Sequence, residues 1–252
     1  MVTSRCVHGG VALVLLERSS KLQPMTTEVA PTVRGDATRE ALVAAAITCF
    51  ARDGFRAASL RVIAASAGVN QALIGYHFQS KEGLYLATFA HIVSQIRERL
   101  DPVVDEIARV LGSPDETLDA SGRAARYLPP LLHLSDGMVG LMAQEQSTAW
   151  SLMITREQQY PTAAFALLYD GFMARILELL TQLVLRLSPA TPVPEARLTV
   201  ITLLGQVMVF RFARAGMLRH LGWEQIGGPE LDAIKAAIRR NITALLEPAG
   251  QR

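Results

Sequence analysis

The chain has little cysteine, few aromatic residues and almost no net charge, and each scarcity closes off a class of protein. Two cysteines in 252 residues, Cys6 and Cys49, are too few for a disulfide framework, so a reducing cytoplasm is the expected compartment. Cys49 falls beside Phe50 on the apolar face of a helix, where a small buried hydrophobe is the commoner role. A formal net charge of +2 excludes recognition of a polyanion by bulk basicity, so any nucleic-acid contact must come from locally placed residues. The longest apolar candidate, Val200 to Phe210, is interrupted by Thr202, Gly205 and Gln206 and falls short of the roughly 18 residues a bilayer span needs. Period-two alternation and Asn-Gly hairpin turns are missing, which leaves an all-α fold. The sequence holds no G-x-S-x-G elbow, Walker loop, G-x-G-x-x-G or His-Glu-x-x-His, so no catalytic residue and no cofactor is expected. His8, His77, His91, His133 and His220 are isolated from cysteine and from one another in sequence, and no metal site is expected from them.

What is abundant is apolar content. Hydrophobic residues make up 50% of the chain, more than one core of this length needs to hide, and dimerisation is the natural outlet. Residues 1–33 contain a short run, Val11 to Leu16, followed directly by Glu17 and Arg18 and without a small-x-small cleavage site. They are read as a disordered arm or as residues ahead of a downstream start. Of the basic residues Arg5, Arg18, Lys21 and Arg34, Arg34 lies near enough to the folded part to reach a minor groove.

The most informative stretch is AGVNQALIGYHFQSKEGLY, Ala67 to Tyr85. Upstream of it Ser59 stands where a hydroxyl can cap a helix, and Leu60, Ile63, Ala64 and Ala67 follow at helical spacing. Gly68 supplies a left-handed residue that ends this helix, and Asn70 caps a second one whose Ile74 can pack on Val69 as a hydrophobic staple. Two short helices joined so tightly cross steeply. This is a helix-turn-helix, with Gln71 to Phe78 as the helix that would enter a major groove. A supporting helix, about Thr38 to Asp53, puts Leu42, Ala45, Ala46, Cys49 and Phe50 on one face and ends at Gly54. A longer helix opens at Ser80 and carries Tyr85, Phe89, Ile92, Ile96 and Leu100 in one stripe, with a break or kink expected at Asp101-Pro102.

The amphipathic helix ending at Gly54-Phe55, the two short helices, the Tyr-His-Phe step and Ser80-Lys81-Glu82-Gly83-Leu84 together resemble the DNA-binding domain of TetR-family transcriptional regulators. The resemblance runs from about Asp36 to Ile96 and implies a domain over residues 36–96. It implies base or phosphate contacts at Gln71, Ala72, Gly75, Tyr76 and His77, with Lys81 on the backbone and Ser59 and Arg61 at the start of the preceding helix. The chemistry agrees: Gln reads adenine bidentately, Ala meets a thymine methyl, Tyr and His bond phosphate oxygens, and Lys81 stands at a helix N-terminus. For Tyr76 and His77 the competing role is burial against the first helix, and for Leu73 and Ile74 it is core packing, which is taken for Ile74. Gly75 departs from the Asn or Tyr of many relatives, so the operator sequence does not transfer, and it weakens the helix by about 0.5–1 kcal/mol relative to Ala.

Residues 97–247 read as helices throughout. Ser113-Pro114-Asp115-Glu116 is a capping box that opens a helix toward Leu128, and Pro129-Pro130 is expected to interrupt it. Met138 to Gln159, Thr162 to Leu187, Glu195 to Arg219 and Pro229 to Leu246 follow, with a Pro-rich loop at 188–194. The segments Arg156 to Met173 and Gly205 to Trp223 resemble the C-terminal domain of the CecR-like branch of the TetR family. Two stripes on Thr162–Leu187 and two on Glu195–Arg219 exceed what one core covers, which predicts a homodimer through these helices. Trp150, Met153, Phe165, Tyr169, Met208 and Phe212 are the candidate walls of a small-molecule pocket, although aromatic and Met residues at helical spacing are more often plain core. The charge pairs Arg156-Glu157, Arg175-Asp170 and Arg211/Arg214 have solvated salt bridges as their commoner explanation.

The reading that fits all of this is a DNA-binding repressor that grips a palindromic operator as a homodimer and is released by a small, largely apolar effector. Two others remain open at this stage. A helix-turn-helix protein without an effector requires a C-terminal domain with no cavity, and an all-α enzyme requires a cluster of titratable groups there.

Overall fold

A computed structural model describes residues 31–113, 118–144 and 147–246, with side chains from residue 35. Pro114 to Glu116 of the proposed capping box, the side chain of Arg34 and the arm up to residue 30 lie outside what is described; Ser113 donates its hydroxyl to the Arg109 carbonyl oxygen, and the next helix begins at Ala120 under an Asp119 cap, which corrects the capping expectation there. Every regular element among the described residues is helical. The supporting helix α1 (Pro31–Ala57) starts about two turns upstream of the expected Thr38. Its regular part ends at Gly54, whose φ of 77° a side chain would resist.

Helices α2 (Leu60–Ser66) and α3 (Ala72–Phe78) form the helix-turn-helix. Gly68 takes φ 68°, and the amides of Gly68 and Val69 bond back to the carbonyls of Ala65 and Ala64. The Asn70 carboxamide accepts from the Ala72 amide at 2.8 Å, as the spacing predicts, and Ile74 is buried with Val69 packed on the same core. Ser59 has the extended backbone of a cap but its hydroxyl accepts no capping bond, which corrects the expectation for that side chain. Its hydroxyl is exposed, so a capping bond ordinarily worth about 0.5–2 kcal/mol is not made there.

Helix α4 (Lys81–Gly112) is capped by Ser80, whose hydroxyl accepts from the Gly83 amide at 3.0 Å. Gly83 is obligatory for another reason: a Cβ there would sit 2.1 Å from the Phe78 carbonyl oxygen. The end of the recognition helix is pressed onto the first turn of α4, so Gly83→Ala must displace one from the other. We expect it to lower the melting temperature and to weaken DNA binding by displacing α3 from α4, whereas Gly75→Ala, whose added Cβ meets no protein atom within 4 Å, should leave the melting temperature intact. Thermal unfolding and a gel-shift titration of both variants check this.

Contrary to expectation, α4 runs unbroken for 32 residues through Pro102. An internal proline costs about 3 kcal/mol, but the neighbouring Leu100, Val103, Val104 and Ile107 are all buried and each is worth about 1.5–3 kcal/mol, so packing outweighs propensity. The same holds for α5 (Ala120–Ala143), which continues through Pro129 and Pro130 because Tyr127, Leu128, Leu131 and Leu134 flank them in the core. The expected single helix from Met138 to Gln159 is instead the end of α5 and a separate α6 (Ser147–Gln159), which stops before Tyr160-Pro161. Thr162 caps α7 (Ala163–Leu168), which passes through a π-turn at Tyr169–Met173 into α8 (Ala174–Leu187). Glu195 to Arg219 divides at Ala213 into α9 (Val193–Phe212) and α10 (Arg214–Leu221), and α11 (Gly228–Leu246) closes the chain.

Helix α4 packs on α1 and α3 at one end and on α5, α7 and α8 at the other, so a single rod belongs to both the N-terminal and the C-terminal core. The two stripes of α8 are both spent internally: Ile176, Leu183 and Leu187 of one and Leu180 and Val184 of the other are buried. On α9 the stripes separate. Val200, Leu203 and Val207 face the core, whereas Leu198 and Ile201 are 66% and 56% exposed, and Phe212 is exposed beside them. Starting at Val193 makes α9 long and apolar enough to cross a membrane by length and composition, a point on which the reading of Val200 to Phe210 alone falls short.

Candidate nucleic-acid interface

Amphipathicity alone decides which face of α3 is free. Ile74 and Phe78 point into the core and Leu73 packs against it, so Gln71, Ala72, Gly75 and Tyr76 are left on the outer face, with Tyr76 80% exposed. Ser59 and Arg61 are exposed at the start of α2. His77 is half-buried, its ring 5.0 Å from that of Tyr76 and 6.0 Å from that of Phe78. Lys81 is more constrained than expected. Its ammonium donates to the Arg56 carbonyl oxygen at 3.1 Å and lies over the Phe55 ring at 5.2 Å, which ties the end of α1 to the start of α4. Two of its three N–H donors remain for another acceptor.

Behind this face the two halves of the molecule are joined by contacts the sequence does not announce. The Tyr85 ring sits among Phe50, Phe55 and Phe89, each centroid 5.0 Å away. Its hydroxyl leaves that cluster and donates to Glu157 Oε1 of α6 at 2.9 Å. Glu157 is 2% exposed, and its other oxygen accepts from the amide and the hydroxyl of Thr162, both at 2.9 Å. The preceding residue, Arg156, donates from Nη1 to the Phe50 carbonyl oxygen at 2.7 Å and so caps the last regular turn of α1. The last turn of α6 therefore holds the N-terminal domain by two adjacent side chains. Arg156 and Glu157 do not pair with each other as a surface bridge would; each is used across the domain boundary.

Burial first, and the bond to Glu157 second, push the Tyr85 phenol above its ordinary pKa. A group whose pKa is raised on folding contributes stability that is complete below its unfolded value, near pH 10, and is lost as the pH rises above it. Tyr85→Phe should therefore flatten the alkaline limb of a stability profile between about pH 10 and 12. Urea unfolding across that range measures it, and an unchanged limb would show that Tyr85 titrates as it does in the unfolded chain.

On the far side of α4 lies an apolar cavity of about 120 Å³. Its walls include Met138, Met142, Phe172, Met173 and Met208, with Gln158 of α6 at its edge. Ile96 and Leu100 of α4 form another side. The π-turn delivers Phe172 and Met173, and at Gly171 it lies so close to α4 that a Cβ would come within 2.8 Å of a Val93 methyl. Of the residues proposed from sequence as pocket walls, Met208 lines this cavity. Trp150 lines a different and larger pocket, of about 770 Å³, between α1, α4 and α6, Met153 is buried in the core, Phe165 and Tyr169 stack on each other at 6.0 Å, and Phe212 faces outward. The signal that would have found the cavity is the run of methionines on three separate segments, which is visible in sequence only as scattered residues. Arg175 pairs with Asp105 at 2.7 Å and approaches Asp101 at 4.0 Å, rather than Asp170, because α8 lies along α4. Arg211 donates to the hydroxyls of Ser147, Thr148 and Ser151. Among the described residues no group of His, Cys, Asp and Glu could hold a metal ion.

Comparison with known proteins places this arrangement. Residues 42–88 match the model of the TetR family of bacterial regulatory proteins, and residues 130–248 match the C-terminal domain of the HTH-type transcriptional dual regulator CecR. The CecR protein of Shigella flexneri is 31% identical over 225 residues, covering 88% of this chain and 97% of its own. Among solved structures, AibR in complex with isovaleryl coenzyme A and operator DNA superposes with a TM-score of 0.58 at 16% identity, over 84% of this chain and 99% of that one. The SmeT–triclosan complex gives 0.52 at 16% identity, over 85% and 93%, and a TetR-like regulator of Rhodococcus sp. RHA1 gives 0.55 at 19%, over 85% and 97%. With a helix-turn-helix presented by α3, an all-α C-terminal domain, and both matched in the same order along one chain, this protein belongs to the TetR family of DNA-binding transcriptional regulators, of the CecR type, and is a regulator rather than an enzyme.

Proposed function

We propose that the protein is a cytoplasmic repressor that binds a pseudo-palindromic operator as a homodimer and is released from it by a small, largely apolar effector bound in the C-terminal domain. The observation that carries this reading is that one helix, α4, begins against the recognition helix and then forms a wall of the apolar cavity. A molecule that fits better when the two recognition helices are wrongly spaced pulls the dimer toward that state, by its differential affinity and no more. The cavity supports this reading over that of a helix-turn-helix protein without an effector, which gives no reason for an apolar void beside the linking helix. That AibR and SmeT are found with small molecules supports the same division of labour on this fold.

Within the DNA-binding face, Gln71, Ala72 and Gly75 read bases and Ser59, Arg61, Tyr76, His77 and Lys81 hold the backbone, with Arg34 reaching the minor groove. Gly75, open and exposed, lets the helix backbone approach the base edges closely. The division is testable through salt dependence. Lys81→Ala should lower the slope of log K against log[salt] by about 0.9 per subunit, hence by about 1.8 in a dimer. Gln71→Ala should instead reduce discrimination between operator and non-operator duplexes by about 1–3 kcal/mol with the slope nearly unchanged. Fluorescence-anisotropy titrations at several salt concentrations decide it, and equal slopes with uniform losses would overturn the assignment.

A further inference from the structure

Resting on the reading of the cavity as an effector site, we propose that its ligand is a neutral, single-ring aromatic molecule of phenol size whose one polar atom accepts a hydrogen bond from Gln158. Size is the first argument. An apolar cavity of about 150 Å³ lined by Leu, Ile and Phe holds benzene, and this one measures about 120 Å³. Charge is the second. Among the described residues that line it none is ionisable, so a carboxylate, phosphate or ammonium would enter without a counter-charge. The third is the chemistry of the walls. Four of them, Met138, Met142, Met173 and Met208, are methionines, polarisable and adaptable, and sulfur gains from contact with a ring edge where an aliphatic wall does not. The last is direction. Gln158 Nε2 donates to the Met173 sulfur at 3.7 Å, a weak acceptor that a phenolic or carbonyl oxygen would displace. Gln158 also follows Arg156 and Glu157 in the last turn of α6, so the residue that reads the ligand stands next to the two that hold the N-terminal domain.

The test uses the full chain, with phenol, toluene, cyclohexanol and benzoate as probes, titrated calorimetrically and followed by carbon-13 methyl signals of the methionines. Phenol and toluene should bind, and their ring currents should shift Met138, Met142, Met173 and Met208 while leaving Met153 and Met217 in place. Cyclohexanol should bind several-fold more weakly than phenol, and benzoate at least 10-fold more weakly. Gln158→Leu should cost phenol about 2- to 12-fold in affinity and toluene nothing. Met173→Leu with Met208→Leu should cost both aromatics about 2- to 12-fold per sulfur and spare cyclohexanol. Benzoate or cyclohexanol binding as tightly as phenol, or ring-current shifts outside those four methionines, would overturn the ligand class. The same titrations on a promoter fragment that the protein footprints separate the two readings. Phenol binding in the cavity with DNA affinity unchanged leaves the ligand class standing and removes induction. Release from DNA by some other molecule, with none of the rings bound, does the reverse.

Discussion

Replacing Glu157 by alanine should lower the melting temperature by about 4–16 °C and uncouple the effector from DNA. The carboxylate is buried and accepts from Tyr85, from the Thr162 amide and from the Thr162 hydroxyl; without it the Tyr85 hydroxyl faces the core with no acceptor. Leaving buried donors unpaired costs about 1–3 kcal/mol each, roughly 2–4 kcal/mol here once the water available to Thr162 is allowed for. In a chain of this size each kcal/mol moves the midpoint by about 2–4 °C. The loss of coupling has a separate basis. Glu157 and Arg156 bind α6, whose next residue edges the cavity, to Tyr85 and the end of α1; once Glu157 is gone, a ligand-driven shift of α6 is no longer transmitted through that bond. A double-mutant cycle with Tyr85→Phe measures the link directly. Tyr85→Phe alone should cost about 0.5–1.5 kcal/mol and should cost nothing further once Glu157 is alanine. Additive effects would mean that the pair carries no energy, and an effector response unchanged in Glu157→Ala would locate the coupling elsewhere along α4.

The second large effect concerns the outer face of α9. Ile201→Arg should give a monomer of 27.4 kDa by sedimentation and should reduce operator affinity by about 10³-fold or more, to the level of non-specific binding. One recognition helix reads only a few base pairs, so specificity requires two of them held about a helical turn, ~34 Å, or a multiple of it apart. Leu198, Ile201 and Phe212 form the exposed apolar stripe on a helix whose other face is already buried, and an arginine in its middle would have to be desolvated against a second copy. Because Ile201 is exposed in the single chain, the substitution should leave the melting temperature of the monomer nearly unchanged. Leu245→Arg, an equally apolar and exposed position on α11, is the control and should leave assembly intact. A dimer that survives Ile201→Arg would exclude α9 as its seam.

The helix-turn-helix was legible because its determinants are local. Gly68 ends α2 through its own left-handed backbone, Asn70 and Ser80 accept from amides two and three residues on, and the alternation of Ile74 and Phe78 with Gln71, Gly75 and Tyr76 fixes which side of a helix faces out whatever else is present. On α9 two apolar rows were legible, but not that Met208, in the row of Leu198, Ile201 and Phe212, turns into the cavity. Where sequence reading placed breaks, at Pro102 and at Pro129-Pro130, it applied a local penalty of about 3 kcal/mol that the burial of flanking residues exceeds, and burial is not a local property.

By itself, then, the sequence determined an all-α fold with a helix-turn-helix that turns Gln71, Gly75 and Tyr76 outward, since helix periodicity, caps and turn glycines need no partner distant in the chain, and its resemblance to the TetR family added the reading as a regulator. Only the tertiary structure decided how that face is connected to the rest. Tyr85 meets Glu157 across 72 residues, and Arg156 reaches the Phe50 carbonyl across 106. The cavity takes its walls from α4, α5, α6, the π-turn, α8 and α9, none of which carries a pocket in its own pattern. Such contacts depend on how helices cross, and crossing is set by the summed packing of the whole core, which no window of sequence contains.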